Sequence, residues 1–170
     1  GYLADAKEKG AEVIEINPSN EDFTQQPHHK IPPTLVLNPT DDMQIMQEEI
    51  FGPVLPIKTY NDVSETVDYI NSKDRPLGLY YFGEDSKEKD YVLNNTTSGG
   101  VTVNDVISHI QMEDLPFGGV GPSGMGSYHG HDGFKEFSHA KAVYKQTRVN
   151  LMKFAGLVPP YKKKEDKPSA

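Results

Sequence analysis

The chain has 170 residues, enough for one domain or slightly more. Lys plus Arg is 17 against 25 Asp plus Glu, a net charge of −8 that suits neither phosphate backbones nor anionic lipid and sets nucleic-acid partners aside. Cysteine is absent, so these residues hold no disulfide, thiolate metal site or cysteine nucleophile.

Tyr2 to Lys9 reads as a helix with Leu3 and Ala6 on one face and Gly10 as its stop. Ala11–Ile16 alternates like a strand. A polar loop leads to Pro33–Leu37, a short apolar run that suits a buried strand. Asp41 or Asp42 is expected to cap a short helix through Met46. Val54–Tyr60 reads as a strand, placed at an edge or bulge by Pro56. Asn61 or Asp62 then caps a helix to Asn71, with Val63, Val67 and Ile70 on one stripe. Leu77–Gly83 is a strand, Asp85 or Ser86 caps a helix to about Asn94, and Gly99–Asn104 is a strand. This alternation predicts an α/β domain with parallel strand pairs.

The pattern breaks at Asp105. Ile107 to Gly133 is dense in glycine and predicts an extended excursion with no long helix across Leu115–Gly126. A short helix over Gly133–Ser138 and a terminal strand over Ala142–Gln146 are expected to follow. Residues 147–170 read as a C-terminal tail whose end is disordered, with Lys162–Lys164 a solvated run. No apolar run approaches the ~18–20 residues of a membrane span. The opening GYLADAKEKG lacks the basic-then-apolar order of a signal peptide, so a cytoplasmic location without membrane partners is expected.

Several short motifs carry less than they spell. Gly119-Val120-Gly121-Pro122-Ser123-Gly124 matches G-x-G-x-x-G, but Asp114-Leu115-Pro116-Phe117 before it is no strand. It reads as a loop of tight turns. Ser138–Lys141 spells S-x-x-K without a partner motif. His28–His29 and His129–His131 lack the acids or further histidines of a metal frame, and no metal is expected.

Two segments say more. In Gln47–Val54, paired acids precede an aromatic, a turn and a strand. A carboxylate set by a rigid turn can accept two ribose hydroxyls, and an aromatic beside it can wall a planar ring. From the residues alone, an acid at a helix N-terminus with a core Phe is the reading favoured over that one. The second segment is Leu115–Gly126, whose close glycines permit tight backbone packing.

Together these segments resemble the C-terminal part of the catalytic domain of aldehyde dehydrogenases. EEIFGPV and LPFGGVG-SGMG look like signatures of that superfamily. SGGVTVND and YHG-DGFKEFSHAKAV are most similar to its class 3 branch, and there to the group that oxidises coniferyl aldehyde. The resemblance runs from Gly1 to about Lys145, so that 1–146 is expected to be a partial catalytic domain. It implies that Glu49 bonds the nicotinamide-side ribose of NAD or NADP and that Phe51 packs near the nicotinamide. It also implies that Asn104 orders the active-site loops, and that Phe117 and the stretch Ile107–His109 belong to the tunnel that admits the small-molecule aldehyde. The terminal strand is implied in domain and subunit contacts, and a homodimer is expected.

The family's chemistry needs a cysteine thiolate to attack the aldehyde and a glutamate to activate water. By the resemblance both lie upstream of Gly1, as does the dinucleotide-binding domain. The chain is therefore expected to be one segment of a longer enzyme, with no catalytic residue of its own and no activity alone. A non-catalytic α/β module that binds a partner chain is the alternative.

Overall fold

The computed structural model describes residues 1–159 and residue 161. In its first part, α1 (Tyr2–Glu8), β1 (Glu12–Glu15), β2 (Thr34–Leu37), a 3-10 turn (Gln44–Met46) and β3 (Val54–Ile57) follow one another. Then come α2 (Val63–Asn71), β4 (Gly78–Tyr81), α3 (Ser86–Asn95) and β5 (Gly100–Val103). The later residues form α4 (Ser108–Gln111), a 3-10 turn (Gly121–Ser123), α5 (Gly130–Glu136) and α6 (Leu151–Phe154).

The strands make two sheets, β1-β2-β3 and β4-β5. Parallel pairing holds for β2–β3 and β4–β5, each joined in the manner of a crossover or flanked by helix. It does not hold for β1–β2, which are antiparallel. No helix lies between those two strands, and an antiparallel return needs none. Pro56 sits on β3 at the sheet's edge, where its missing N–H breaks no inner ladder.

Each sheet has its own core. Ala6, Val36, Met43 and Ile45 are buried together, with Leu3, Val13, Ile50 and Val54 packed on them. The 3.6-residue spacing of Leu3 and Ala6 is what turns α1 onto the first sheet. Val67, Tyr81 and Val92 form the second core, bringing α2 and α3 against β4. Burial, then a hydrogen bond to Glu88, push the Tyr81 phenol up to about 12. Asp62 caps α2 by accepting from Ser64 N–H at 2.8 Å, and Asp85 caps α3 by accepting from the Lys87 and Glu88 amides. Each such cap contributes about 1 kcal/mol.

The expected cap by Asp41 or Asp42 does not form. The Gln44 amide donates instead to Asp5 Oδ2 at 2.8 Å, a cap supplied from α1, 39 positions away in the chain. Asp41 serves a different purpose. Its carboxylate accepts from Lys58 Nζ, Lys73 Nζ and Tyr69 OH at 2.8, 2.7 and 2.8 Å. Those bonds hold its carboxyl well below the usual range, Lys58 first. The two ammonium groups also lie 4.4 and 5.1 Å from the Tyr69 ring centroid. Loop, β3 end and α2 are thereby tied together.

After Asp105 the glycine-rich excursion is present as expected, and its helical content across Leu115–Gly126 is one three-residue 3-10 turn. The loop closes on itself through paired backbone bonds of 2.9 Å between Phe117 and Tyr128. A side chain at Gly118 would stand 2.0 Å from the Gly126 carbonyl oxygen, so only glycine allows this approach. The helix expected over Gly133–Ser138 begins three residues earlier, at Gly130. The terminal strand over Ala142–Gln146 does not form. Those residues are exposed and lack regular structure, because a strand needs a neighbour for its amides and carbonyls and none is paired there. Asn150 caps α6, a helix that the composition of the tail did not announce. The tail end expected to be disordered and the Lys162–Lys164 run expected to be solvated lie outside the described residues. No helix among the described residues is long and apolar enough to cross a membrane.

Candidate functional site

Glu49 and Phe51 stand on the turn between the first 3-10 turn and β3. Ile50 between them packs on the first core, so its neighbours in sequence are turned outward. Phe51 is 90% exposed, which removes the reading of a core phenylalanine. Glu49 follows the 3-10 turn and precedes no helix, which removes the reading of a helix-start acid. Among the described residues the Glu49 carboxylate has no hydrogen bond or ion pair, whereas adjacent Glu48 accepts from Tyr2 OH at 2.6 Å. Phe51, Ile50, Gly52, Val54, Ile31 and Leu3 line a largely apolar cavity of about 310 Å³. An unpaired acid and an outward aromatic ring on one turn suit a ligand carrying vicinal hydroxyls and a flat ring.

The second group gathers at the ends of β4 and β5. Asn104 adopts φ 56°, a left-handed conformation that asparagine tolerates. Its Oδ1 accepts from Gly83 N–H at 2.8 Å and its Nδ2 donates to Gly83 O at 3.0 Å. This reciprocal clamp fixes the two strand ends side by side. Ile107, a β-branched residue at φ 66°, is strained by about 1–3 kcal/mol and still half exposed. Asp105 holds it there by accepting from the Val106 amide at 2.8 Å and from Ser108 Oγ. The Ser108 bond and then the backbone bond lower the Asp105 carboxyl pKa.

His109 lies behind this surface rather than on it, at 6% exposure. Its Nδ1 meets Thr102 Oγ1 at 2.6 Å. Phe117 is half-buried in a run of rings: His109 at 6.3 Å, Tyr128 at 5.6 Å and His129 at 6.1 Å between centroids. The structure thus brings Asn104, Ile107, His109 and Phe117 into one region and places Glu49 and Phe51 on the turn before β3. No hydrogen bond or ring contact joins the two groups among the described residues. Thr102, Tyr80 and Tyr128 were not singled out in the sequence, and His129 was read there only as part of a histidine cluster without a metal frame. Only the Gly99–Gly100 pair, which demands a close neighbour, signalled something packed against β5. The G-x-G-x-x-G run is a loop and 3-10 turn with no strand before it. Among the described residues no three His, Cys, Asp or Glu side chains could hold a metal ion together.

With parallel strand pairs, the turn before β3 and the closed glycine-rich loop in view, the architecture is that of part of a dehydrogenase catalytic domain. The sequence model of the aldehyde dehydrogenase family matches residues 1–143. A probable coniferyl aldehyde dehydrogenase of Caulobacter vibrioides is 66% identical over 161 residues, 95% of this chain and 33% of that protein. A coniferyl aldehyde dehydrogenase of a Pseudomonas species is 55% identical over 158 residues, 93% of this chain and 33% of that protein. The crystal structure of an NAD-dependent aldehyde dehydrogenase from Sinorhizobium meliloti superposes with a TM-score of 0.71 at 29% identity, over 81% of this chain and 26% of that one. The chain belongs to the aldehyde dehydrogenase family. It spans about a third of the length of these curated relatives.

Proposed function

We propose that this chain is the part of an NAD(P)-dependent aldehyde dehydrogenase that holds the nicotinamide end of the cofactor and shapes the path of the aldehyde. The whole enzyme oxidises an aldehyde, coniferyl or another aromatic one, to the carboxylic acid. The observation that carries this reading is Phe51: a ring 90% exposed on a turn, two residues from an unpaired carboxylate, is unused by the chain's own packing. The names of the two coniferyl aldehyde dehydrogenases support the substrate class. The NAD-dependent structural relative supports the cofactor. The discriminator of the 2′-phosphate, which separates NAD from NADP, belongs to the dinucleotide-binding unit.

When bound, the cofactor supplies the hydride acceptor. Glu49 offers two acceptor oxygens to the two hydroxyls of the nicotinamide-side ribose. Phe51 gives the ring an apolar wall and keeps water from that side. Asn104 holds the β4 and β5 ends that carry the approach surface, and Ile107 and Phe117 present apolar walls to a planar aldehyde. The thiolate nucleophile and the water-activating carboxylate come from outside these residues. A cytoplasmic homodimer is part of the proposal; exposed Phe134, Phe137, Tyr144 and Leu151 are apolar side chains that the rest of the enzyme or a second copy would cover.

In the full-length enzyme, Glu49→Gln is expected to lower turnover by up to ~10²-fold, the effect of misplacing a reacting ring by ~1 Å. Phe51→Ala is expected to weaken cofactor binding while leaving the melting temperature unchanged, since exposed side chains alter stability by less than about 0.5 kcal/mol. Turnover, hydride-step burst and cofactor titration decide. An unchanged burst and unchanged cofactor affinity in both variants would return the pair to a non-catalytic surface.

A further inference from the structure

We infer that His109 is a positioning residue: its imidazole is an internal strut that sets where the Phe117 ring stands, so the aldehyde's path takes its width from Thr102, His109 and Phe117 acting in series. The statement rests on the reading of Phe117 as a wall of that path.

The strut is pinned at one end. Thr102, itself buried on β5, places its hydroxyl 2.6 Å from His109 Nδ1, and the same oxygen accepts from the His109 amide at 3.2 Å. The imidazole tautomer sets which of the two atoms donates. The other ring nitrogen, Nε2, is fully buried and has no hydrogen-bond partner among the described residues. A buried polar atom without a partner is a cost that an aliphatic side chain of similar size would not incur. What the imidazole offers in exchange is a flat body with one edge fixed by a short hydrogen bond.

The ring is also seated without slack. A Cβ at Gly100 would stand 2.4 Å from His109 Cδ2, and one at Gly78 would stand 3.7 Å from Cε1. The ring therefore rests on the bare backbone of both strands of the second sheet. Its remaining aromatic neighbours are Tyr80, 5.9 Å away at 54°, and Phe117, 6.3 Å away at 55°. Phe117 is braced elsewhere by Tyr128 and His129 and by its two backbone bonds to Tyr128. On the sheet side His109 is the ring that backs it. If the imidazole turns, Phe117 loses that support and moves toward the sheet; if the imidazole is pushed off β5, Phe117 is pushed outward.

The experiment is made in the full-length enzyme with ring-labelled phenylalanine, the Phe117 signal being assigned by its loss in Phe117→Leu. Thr102→Val removes the pin and keeps the shape. Thr102→Ser keeps the hydroxyl and serves as the rescue. Gly100→Ala pushes the ring. The Phe117 signal is expected to move in Thr102→Val and Gly100→Ala and to stay in place in Thr102→Ser. Gly100→Ala is expected to raise KM about tenfold for a bulky aromatic aldehyde, with acetaldehyde KM and kcat held within about twofold, a size-discrimination effect of the usual order. Should Gly100→Ala fail to fold, Thr102→Val carries the test by reducing the KM difference between the two aldehydes. An unmoved Phe117 signal in a folded Thr102→Val enzyme overturns the strut. A moved signal with unmoved KM values leaves the strut standing and overturns the reading of Phe117 as a wall.

Discussion

Asn104 is where backbone conformation and hydrogen bonding can be separated in one residue. Its amide makes both bonds of the clamp to Gly83, at 2.8 and 3.0 Å, and its backbone sits at φ 56°. A net hydrogen bond contributes about 0.5–1.5 kcal/mol, with exposure placing these two toward the low end, so the pair amounts to about 1–2 kcal/mol. The left-handed conformation adds about 1 kcal/mol for a residue with an ordinary Cβ and nothing for glycine. Asn104→Ala is therefore expected to destabilise by about 2–3 kcal/mol and Asn104→Gly by about 1–2 kcal/mol. Asn104→Asp keeps the acceptor toward Gly83 N–H but sets a carboxylate oxygen against the Gly83 carbonyl oxygen in place of the donor, so it is expected to cost at least as much as glycine. Denaturant unfolding gives the totals. Amide exchange at Gly83 gives the local effect, with protection falling about tenfold for each 1.4 kcal/mol of lost clamp. If alanine and glycine prove equally costly, the conformational part of the argument is wrong. If Gly83 exchange is unchanged in all three, the clamp does not hold the strand ends, and Asn104 has no part in ordering the loops beside it.

Val36 is fully buried at the centre of the first core, and Val36→Ala is expected to lower stability by about 2 kcal/mol in denaturant unfolding, with an unchanged midpoint refuting that core. Asp41 has its carboxyl pKa lowered by Lys58, Lys73 and Tyr69, so its stabilising contribution is complete above its unfolded value and is lost as the pH falls through the folded one. Melting curves of Asp41→Asn and the parent should accordingly differ most above about pH 5 and converge progressively as the pH falls below the usual carboxylate range. A constant gap across that range would show that the carboxylate's charge is not what the lysines hold.

Local chemistry was legible from the residues alone. Asp62 and Asp85 announced their helices because a short acceptor ahead of an apolar stripe satisfies amides within its own turn. The five strands were readable from apolar runs, and the glycine-rich excursion from the loss of any period after Asp105. The motif around Glu49 and Phe51 could be singled out, but its residues fitted a packed turn as well as a ligand site. The exposure of Phe51 takes its ring out of this chain's packed core, and exposure is a property of how Ile50 and the first core face, not of residue order.

What residue order left undecided depends on partners distant in the chain. The 3-10 turn takes its cap from Asp5 in α1, so the nearer Asp41 and Asp42 were misleading neighbours. β1 runs antiparallel to β2 because strand direction is settled by the route of an irregular connection that carries no periodicity. The Ala142–Gln146 run has the composition of a strand and pairs with none among the described residues, and composition cannot supply hydrogen-bond partners. His109 shows the same limit at the candidate site. Its place behind Phe117 follows from the register of β4 against β5, which sets Gly78 opposite Gly100 and leaves the bare patch of backbone on which the imidazole rests.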